Sequence, residues 1–254
     1  MANIVPVRKD QHKNLKVSSK RNLEHIANQQ VIPVLAQEFS QASTSFPVVL
    51  VKEPGSERFR SVAMLGLEAG ENLYYSDNKW HAIYVPLSIS VVPFSIGVDP
   101  EKEKTLTTCI DLDSPFVGED QEQAIYDEDG NDSEYFKGVQ EALGRLYENE
   151  VATEKFITEL VENDLLVELE LNVNFSTGEN KKLVGLFGID EQKLKSLSDE
   201  KILDFYKRGL FVPIHSMLGS IGQINRLAQL RNLSASEAKV NGIQFRPIVA
   251  EEAK

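Results

Sequence analysis

Between Phe46 and about residue 125 the apolar positions fall in short runs, each closed by Gly, Pro, Asn or Asp. The runs are Phe46 to Val51, Ser61 to Leu67, Asn72 to Tyr75, Trp80 to Val85, Ile89 to Ile96 and Thr105 to Ile110. They are rich in β-branched and aromatic residues, the composition of strands on a half-buried pleated surface. Two tight turns, Glu68-Ala69-Gly70-Glu71 and Ser76-Asp77-Asn78-Lys79, join runs of hairpin length.

In the second half the period changes. Phe136, Val139, Leu143 and Leu146 are spaced by three and four after a start signal in which Asn131 precedes Glu134 by three, which predicts an amphipathic helix. Thr153 opens a second helix carrying Phe156, Ile157, Leu160 and Val161, and Asp164 ends it. Leu165, Val167, Leu169, Leu171, Val173 and Phe175 then alternate with polar residues, and the turn at 176–180 returns the chain into Lys182 to Gly188, the clearest hairpin in the sequence. Ser198-Asp199-Glu200 starts a helix that stops at Gly209. A last helix follows Pro213 and lays Met217, Ile221, Ile224 and Ala228 on one stripe.

These patterns predict an α+β protein: a mostly antiparallel sheet from the first half, with helices and the strong hairpin from the second. No Pro/Ser/Gly linker divides the chain and no repeat recurs, so a single domain over residues 31–234 is expected. It lies between a polar amino-terminal arm at 1–30 and a polar tail at 235–254 anchored by Phe245.

Composition narrows the function classes. In 254 residues, 27 Lys plus Arg against 39 Asp plus Glu leave a formal charge of −12. Nucleic-acid affinity comes largely from clustered cations, and the only basic stretch here, Arg8, Lys9, Lys13, Lys16, Lys20 and Arg21, lacks interleaved aromatics and reads as a solvated arm. Nucleic acid is not an expected partner. Ala82 to Val98 is free of charge but too short for a span and broken by Pro86 and Pro93, so no membrane insertion is expected and this stretch reads as buried strands with a proline corner. The charged start Met1 to Asp10 leaves no room for an apolar export signal, and the single Cys109 forbids an internal disulfide, so a cytoplasmic location is expected.

Candidate chemistry is sparse. One cysteine and the scattered His12, His25, His81 and His215 cannot build a zinc site. Asp127-x-Asp129-x-Asn131 begins like a calcium loop, but Asp132 stands where the turning Gly is needed and Gly138 where the bidentate Glu belongs, so the stretch reads as an acidic turn bent at Gly130. No phosphate loop, dinucleotide fingerprint or nucleophile elbow occurs, and no metal or cofactor is expected. Cys109 sits in an apolar run where burial makes a thiol inert.

The densest constellation is Glu71, Asn72 and Tyr74 followed by Trp80, His81, Tyr84 and Pro86. Aromatics with polar tips supply contact area and fix orientation, as a recognition pocket requires; the competing reading is a hairpin whose aromatics fill the core. These seven residues are the candidate binding residues, with no catalytic residue assigned. Glu71, His81 and His215 would be the acid–base groups of a dispersed enzyme site, the alternative function.

The order Phe46-Pro47-Val48-Val49, Met64-Leu65-Gly66-Leu67, Gly70-Glu71-Asn72-Leu73, Trp80, Tyr84-Val85-Pro86 and Pro93-Phe94 resembles the SapC family of proteobacteria. Asp127-Glu128-Asp129-Gly130, Leu165-Leu166, Gly185-Leu186 and the helix from Leu218 to Arg226 continue the likeness, which extends from about Val31 to Leu230. The family name implies surface-layer biology, a role the charged start does not support. It is shared with an unrelated peptide-transporter permease, which the missing spans exclude. The resemblance also implies genomic company with tryptophan-halogenase-like proteins, cupin-like proteins and TonB-dependent receptors, and it transfers no catalytic residue. The expected function is therefore that of a cytoplasmic accessory protein recognising a protein or peptide partner.

Overall fold

The computed structural model describes residues 3–20, 22–99 and 105–248. Strands and helices are numbered in chain order. The first segment holds β1 (Ile4–Pro6), α1 (Lys9–His12), β2 (Lys16–Val17), β3 (Val31–Pro33) and α2 (Phe39–Ala42). Then follow β4 (Val48–Lys52), β5 (Phe59–Met64), β6 (Tyr75–Ser76), β7 (Lys79–Trp80) and α3 (Leu87–Ser90). Next come β8 (Phe94–Val98), β9 (Leu106–Asp111), β10 (Val117–Gly118), β11 (Gln123–Ala124) and α4 (Glu134–Glu162). The chain ends with β12 (Leu166–Phe175), β13 (Asn180–Ile189), α5 (Glu191–Lys195), α6 (Asp199–Lys207), α7 (Phe211–Ser220), α8 (Ile224–Leu233) and β14 (Val240–Pro247). Antiparallel sheets and segregated helices make the protein α+β, as the pattern predicts.

Contacts gather the chain into two compact units, each discontinuous in sequence: Met1–Asn22 with Leu87–Glu150, and Leu23–Pro86 with Val151–Lys254. In the first unit β1, β9 and β8 form an antiparallel sheet and β10, β2 and β11 a second. The expected amino-terminal arm is instead woven into both, with Val5 opposite Ile110 and Val17 opposite Val117. Val5, Val7, Leu15 and Val17 pack into the core of this unit beside Phe94, Ile110, Phe116, Ile125 and Phe136. These apolar positions lie among the charges of the stretch, at strand-like spacing. Arg8 is ion-paired to the nearly buried Asp99 at 3.1 Å, and Arg21 lies outside the described residues. His12 is buried, its Nδ1 accepting from the Arg8 amide at 3.0 Å, and burial pushes its pKa down, favouring the neutral ring.

The acidic stretch closes on itself. Asp127 Oδ1 accepts from the Asn131 amide at 2.7 Å, and Gly130 turns the chain at a φ of 77°. Cys109 lies buried on β9 against Gly97, where an added Cβ would meet its sulfur at 2.6 Å; desolvation first, and the nearby Asp99 second, push its pKa up. The run expected as a strand from Ile89 to Ile96 divides into the single turn α3 and then β8.

The second unit is built on a six-stranded antiparallel sheet in the order β14-β12-β13-β4-β5-β3. Leu165, Leu169, Leu171, Val173 and Phe175 are all buried, as their alternation predicts. The β12–β13 register slips between Leu169 and Leu171, and Gly185, at a φ of 76°, supplies the extra residue of this bulge. Glu170 points to the other face yet is also buried. Asn172 donates to it at 2.9 Å, and Lys182 and Arg246 pair with it. The expected tail is β14, with Phe245 opposite Leu171; residues 249–254 lie outside the described residues.

Two helix expectations are corrected. Residues 134–162 form one continuous helix rather than two, since nothing between Leu146 and Thr153 interrupts it. Ser133 caps it, its Oγ accepting from the Phe136 amide at 3.1 Å. The cap-like Thr153 serves a different turn: its Oγ1 accepts from the Ala36 amide at 2.9 Å, at the start of the short helical turn Ala36–Glu38. Conversely, the last helix is two. Pro213 sits in the first turn of α7, where its missing N–H is harmless, and a tight turn at Ile221–Gln223 separates α7 from α8. Buried Ser220 marks the break, donating to Met217 O at 2.6 Å and accepting from the Val48 amide of β4 at 2.9 Å.

Candidate functional site

The constellation from Glu71 to Pro86 lies in the second unit and begins with a hairpin. Asp77 and Asn78 adopt φ values of 50° and 57°, the doubly left-handed turn that closes two-residue hairpins, and Tyr75 and Ser76 pair with Trp80 and Lys79. Asn and Asp tolerate this region because their short side chains bond locally. The hairpin is clamped to the rest of the unit by Tyr74 and Asn72, both buried. Tyr74 donates from its hydroxyl to Ser45 O at 2.5 Å. Asn72 donates to Ile26 O at 2.8 Å and accepts from the Tyr74 amide at 3.0 Å.

Trp80 lies half-buried with its ring centroid 5.9 Å from those of both Phe46 and Tyr74. The Phe46 and Tyr74 rings meet edge to face at 4.8 Å. The polar end of Trp80 is used as well, its Nε1–H donating to Tyr84 O at 2.9 Å. Tyr84 in turn donates from its hydroxyl to Oε2 of Glu38 at 2.5 Å. Glu38 is only 2% exposed, and its other oxygen accepts from the Leu35 amide at 2.7 Å. Burial first, then the Glu38 carboxylate, raises the Tyr84 pKa well above its ordinary value, so the phenol stays a donor.

The loop from Trp80 to Tyr84 is thus fixed at both ends, and its apex carries Ile83, which is 94% exposed, followed by Val85 at 37%. An aliphatic side chain held almost wholly in water by a braced loop costs solvation and gains no packing within the chain. Periodicity does not single Ile83 out, because it reads as the middle of an apolar strand. Tyr75 adds a second uncompensated group: among the described residues its hydroxyl is buried with no hydrogen-bond partner. Pro86 is buried.

Glu71 and His215 stand apart from this loop, and His81 lies on it. Glu71 accepts from the Leu67 amide at 2.8 Å and is ion-paired to the buried Arg231 of α8, which also reaches Glu68 at 3.4 Å. Lys181 holds Glu68 at 2.5 Å and, with Arg231, keeps that carboxyl below its usual range. His81 is exposed and within 3.0 Å of Ser76 Oγ, inside its own hairpin. His215 is exposed on α7 and stacked on Phe211, centroids 5.8 Å apart. Among the described residues no hydrogen bond joins Glu71, His81 and His215, and no cluster of three His, Cys, Asp or Glu could hold a metal ion.

Fold and loop together define an α+β protein whose most conspicuous surface feature is a braced aromatic loop presenting apolar side chains. The chain belongs to the SapC family, whose model matches residues 7–227. No curated protein and no solved structure matches it. Among the described residues no helix is long and apolar enough to cross a membrane.

Proposed function

We propose that the protein is a non-catalytic, cytoplasmic accessory protein that recognises a protein or peptide partner through the loop Trp80–Val85. The observation that supports this most is Ile83, held 94% exposed between two anchored aromatics. A rigid apolar tip can insert into a partner's pocket with little ordering cost, since Trp80 and Tyr84 already fix the backbone that carries it. Affinity then comes from burying Ile83 and Val85, and specificity from the polar groups around them. The buried hydroxyl of half-buried Tyr75 is a group that a bound partner's small rearrangement of the hairpin would satisfy.

The candidate partners are tryptophan-halogenase-like, cupin-like and TonB-dependent receptor proteins, the genomic company that the resemblance implies. The test is capture of these proteins, each purified, on immobilised wild-type protein and on Ile83→Asp. Retention of one of them by the wild type, and its loss with the equally folded variant, carries the reading. Equal retention by both, or none by either, overturns the assignment of the loop.

A further inference from the structure

Strand β14 is the outer strand of its sheet, and its register shows which backbone groups look outward. The Ile248 amide donates to Glu168 O at 2.8 Å, and Arg246, Gln244 and Gly242 lie opposite Glu170, Asn172 and Asn174. Amides alternate along a strand, so the even-numbered ones face β12 while those of Ile243 and Phe245 face away. At one end Asn232 occupies the outward groups of Val240: Val240 N donates to Oδ1 at 2.6 Å, and Nδ2 donates to Val240 O at 3.0 Å. At the other end Pro247 falls on an outward position, where a residue without N–H is tolerated. Between these two stops, among the described residues, no strand pairs with Ile243 and Phe245 on their outer side.

Edge strands are ordinarily blunted by lysines, inward charges or prolines along their length. Here Val240–Pro247 contains no Asp, Glu or Lys, in a chain carrying 39 acidic residues. Its one charge, Arg246, is held by Glu170 at 2.7 Å. This is a stretch of an acidic surface along which two copies can approach without like charges meeting.

We propose that β14 pairs antiparallel with β14 of a second copy, centred on Gln244, so that two six-stranded sheets become one. Ile243 and the second copy's Phe245 then exchange both N–H···O bonds, and the reverse pair does the same. Their side chains form aromatic to β-branched cross-strand pairs on the core-side face. Gln244 faces its own counterpart, and each Arg246 faces Gly242. The two arginines stand four residues apart along the strands, about 13 Å, beyond the ~8–10 Å over which salt leaves exposed charges in contact. The interface is isologous and closes as a two-fold dimer. A strand-sized contact buries less than the ~800 Å² per partner of a standard stable complex, so the dimer forms at high protein concentration. Salt strengthens it by screening the −12 charge of each copy.

Sedimentation equilibrium of the full chain from about 1 µM to about 1 mM tests this. A dimer that grows with concentration and salt is expected. Ile243→Pro removes an N–H that β12 does not use, so it should be monomeric while still unfolding cooperatively, with melting lowered by the lost Ile243 packing; if it does not fold, Phe245→Lys serves in its place. In a Cys109→Ser background, Gln244→Cys places two thiols on directly opposed positions about 4.5 Å apart at Cα, within disulfide reach. It should oxidise to a covalent dimer much faster than Glu179→Cys on the exposed hairpin turn. A wild type that stays monomeric throughout overturns the proposal. So does a dimer indifferent to the edge variants, or a Gln244→Cys that cross-links no faster than the control.

Discussion

The hydroxyl of Tyr84 lies 2.5 Å from Oε2 of Glu38, a carboxylate that is 2% exposed and 46 residues distant in sequence. That single contact does two things. It gives the buried Glu38 side chain a donor beside the Leu35 amide, and it anchors the far end of the loop whose apex is Ile83.

Tyr84→Phe leaves Glu38 buried with one donor fewer. A hydrogen bond to a charged group contributes about 1.5–3 kcal/mol, so a loss of about 2 kcal/mol is expected in denaturant unfolding. In the wild type, spectrophotometric titration should show a late-ionising group of tyrosines, Tyr74 and Tyr126 raised by burial and Tyr84 by burial and the adjacent carboxylate, and Tyr84→Phe should remove one phenol from that late group. A raised pKa means the interaction is intact below the ordinary tyrosine range and lost only as pH rises through the folded value. The predicted stability loss therefore lies on the alkaline side.

Trp80 is half-buried and packs on Phe46 and Tyr74, so Trp80→Ala should cost about 2 kcal/mol, below the ~3–5 kcal/mol of a fully buried large aromatic. Trp80→Phe keeps the ring packing but loses the bond to Tyr84 O. Its melting temperature should fall less, while hydrogen exchange in residues 80–85 quickens.

Tyr75→Phe removes a hydroxyl that is buried with no partner. Leaving such a group unsatisfied costs about 1–3 kcal/mol, so the variant should be as stable as the wild type or more so by thermal melting. A clear destabilisation would show that the hydroxyl has a partner in solution.

Glu170 governs the acid side. Hydrogen bonds from Lys182 first, then Asn172 and Arg246, lower its pKa from 4.5 to about 2. A depressed carboxyl stabilises the fold fully above its unfolded value, and that contribution disappears as pH falls from about 4.5 to about 2. Glu170→Gln should lower stability at neutral pH and flatten the acid limb of a stability profile between those values.

Ile83→Asp, by contrast, alters a side chain that touches almost nothing, so its unfolding free energy should stay within ±0.5 kcal/mol of the wild type. That makes it the clean variant for a binding assay.

Period and turn chemistry along the chain already determined the α+β class, β12 and β13, the left-handed turn at Asp77 and Asn78, and the stop at Gly209, because each depends on residues a few positions apart. Acidity and the aromatic cluster were equally legible. Tertiary structure alone decided that Val5 and Val17 belong to sheets, that Thr153 caps a turn more than a hundred residues away, and that Phe245 sits on an edge strand. It also gave the seven candidate residues different roles, drawing Glu71 to Arg231, sinking Asn72 and Tyr74, and lifting the unremarked Ile83 into solvent. The reason is physical: a hydrogen bond or a burial between distant segments depends on where folding places both partners, and local patterning carries information about only one of them.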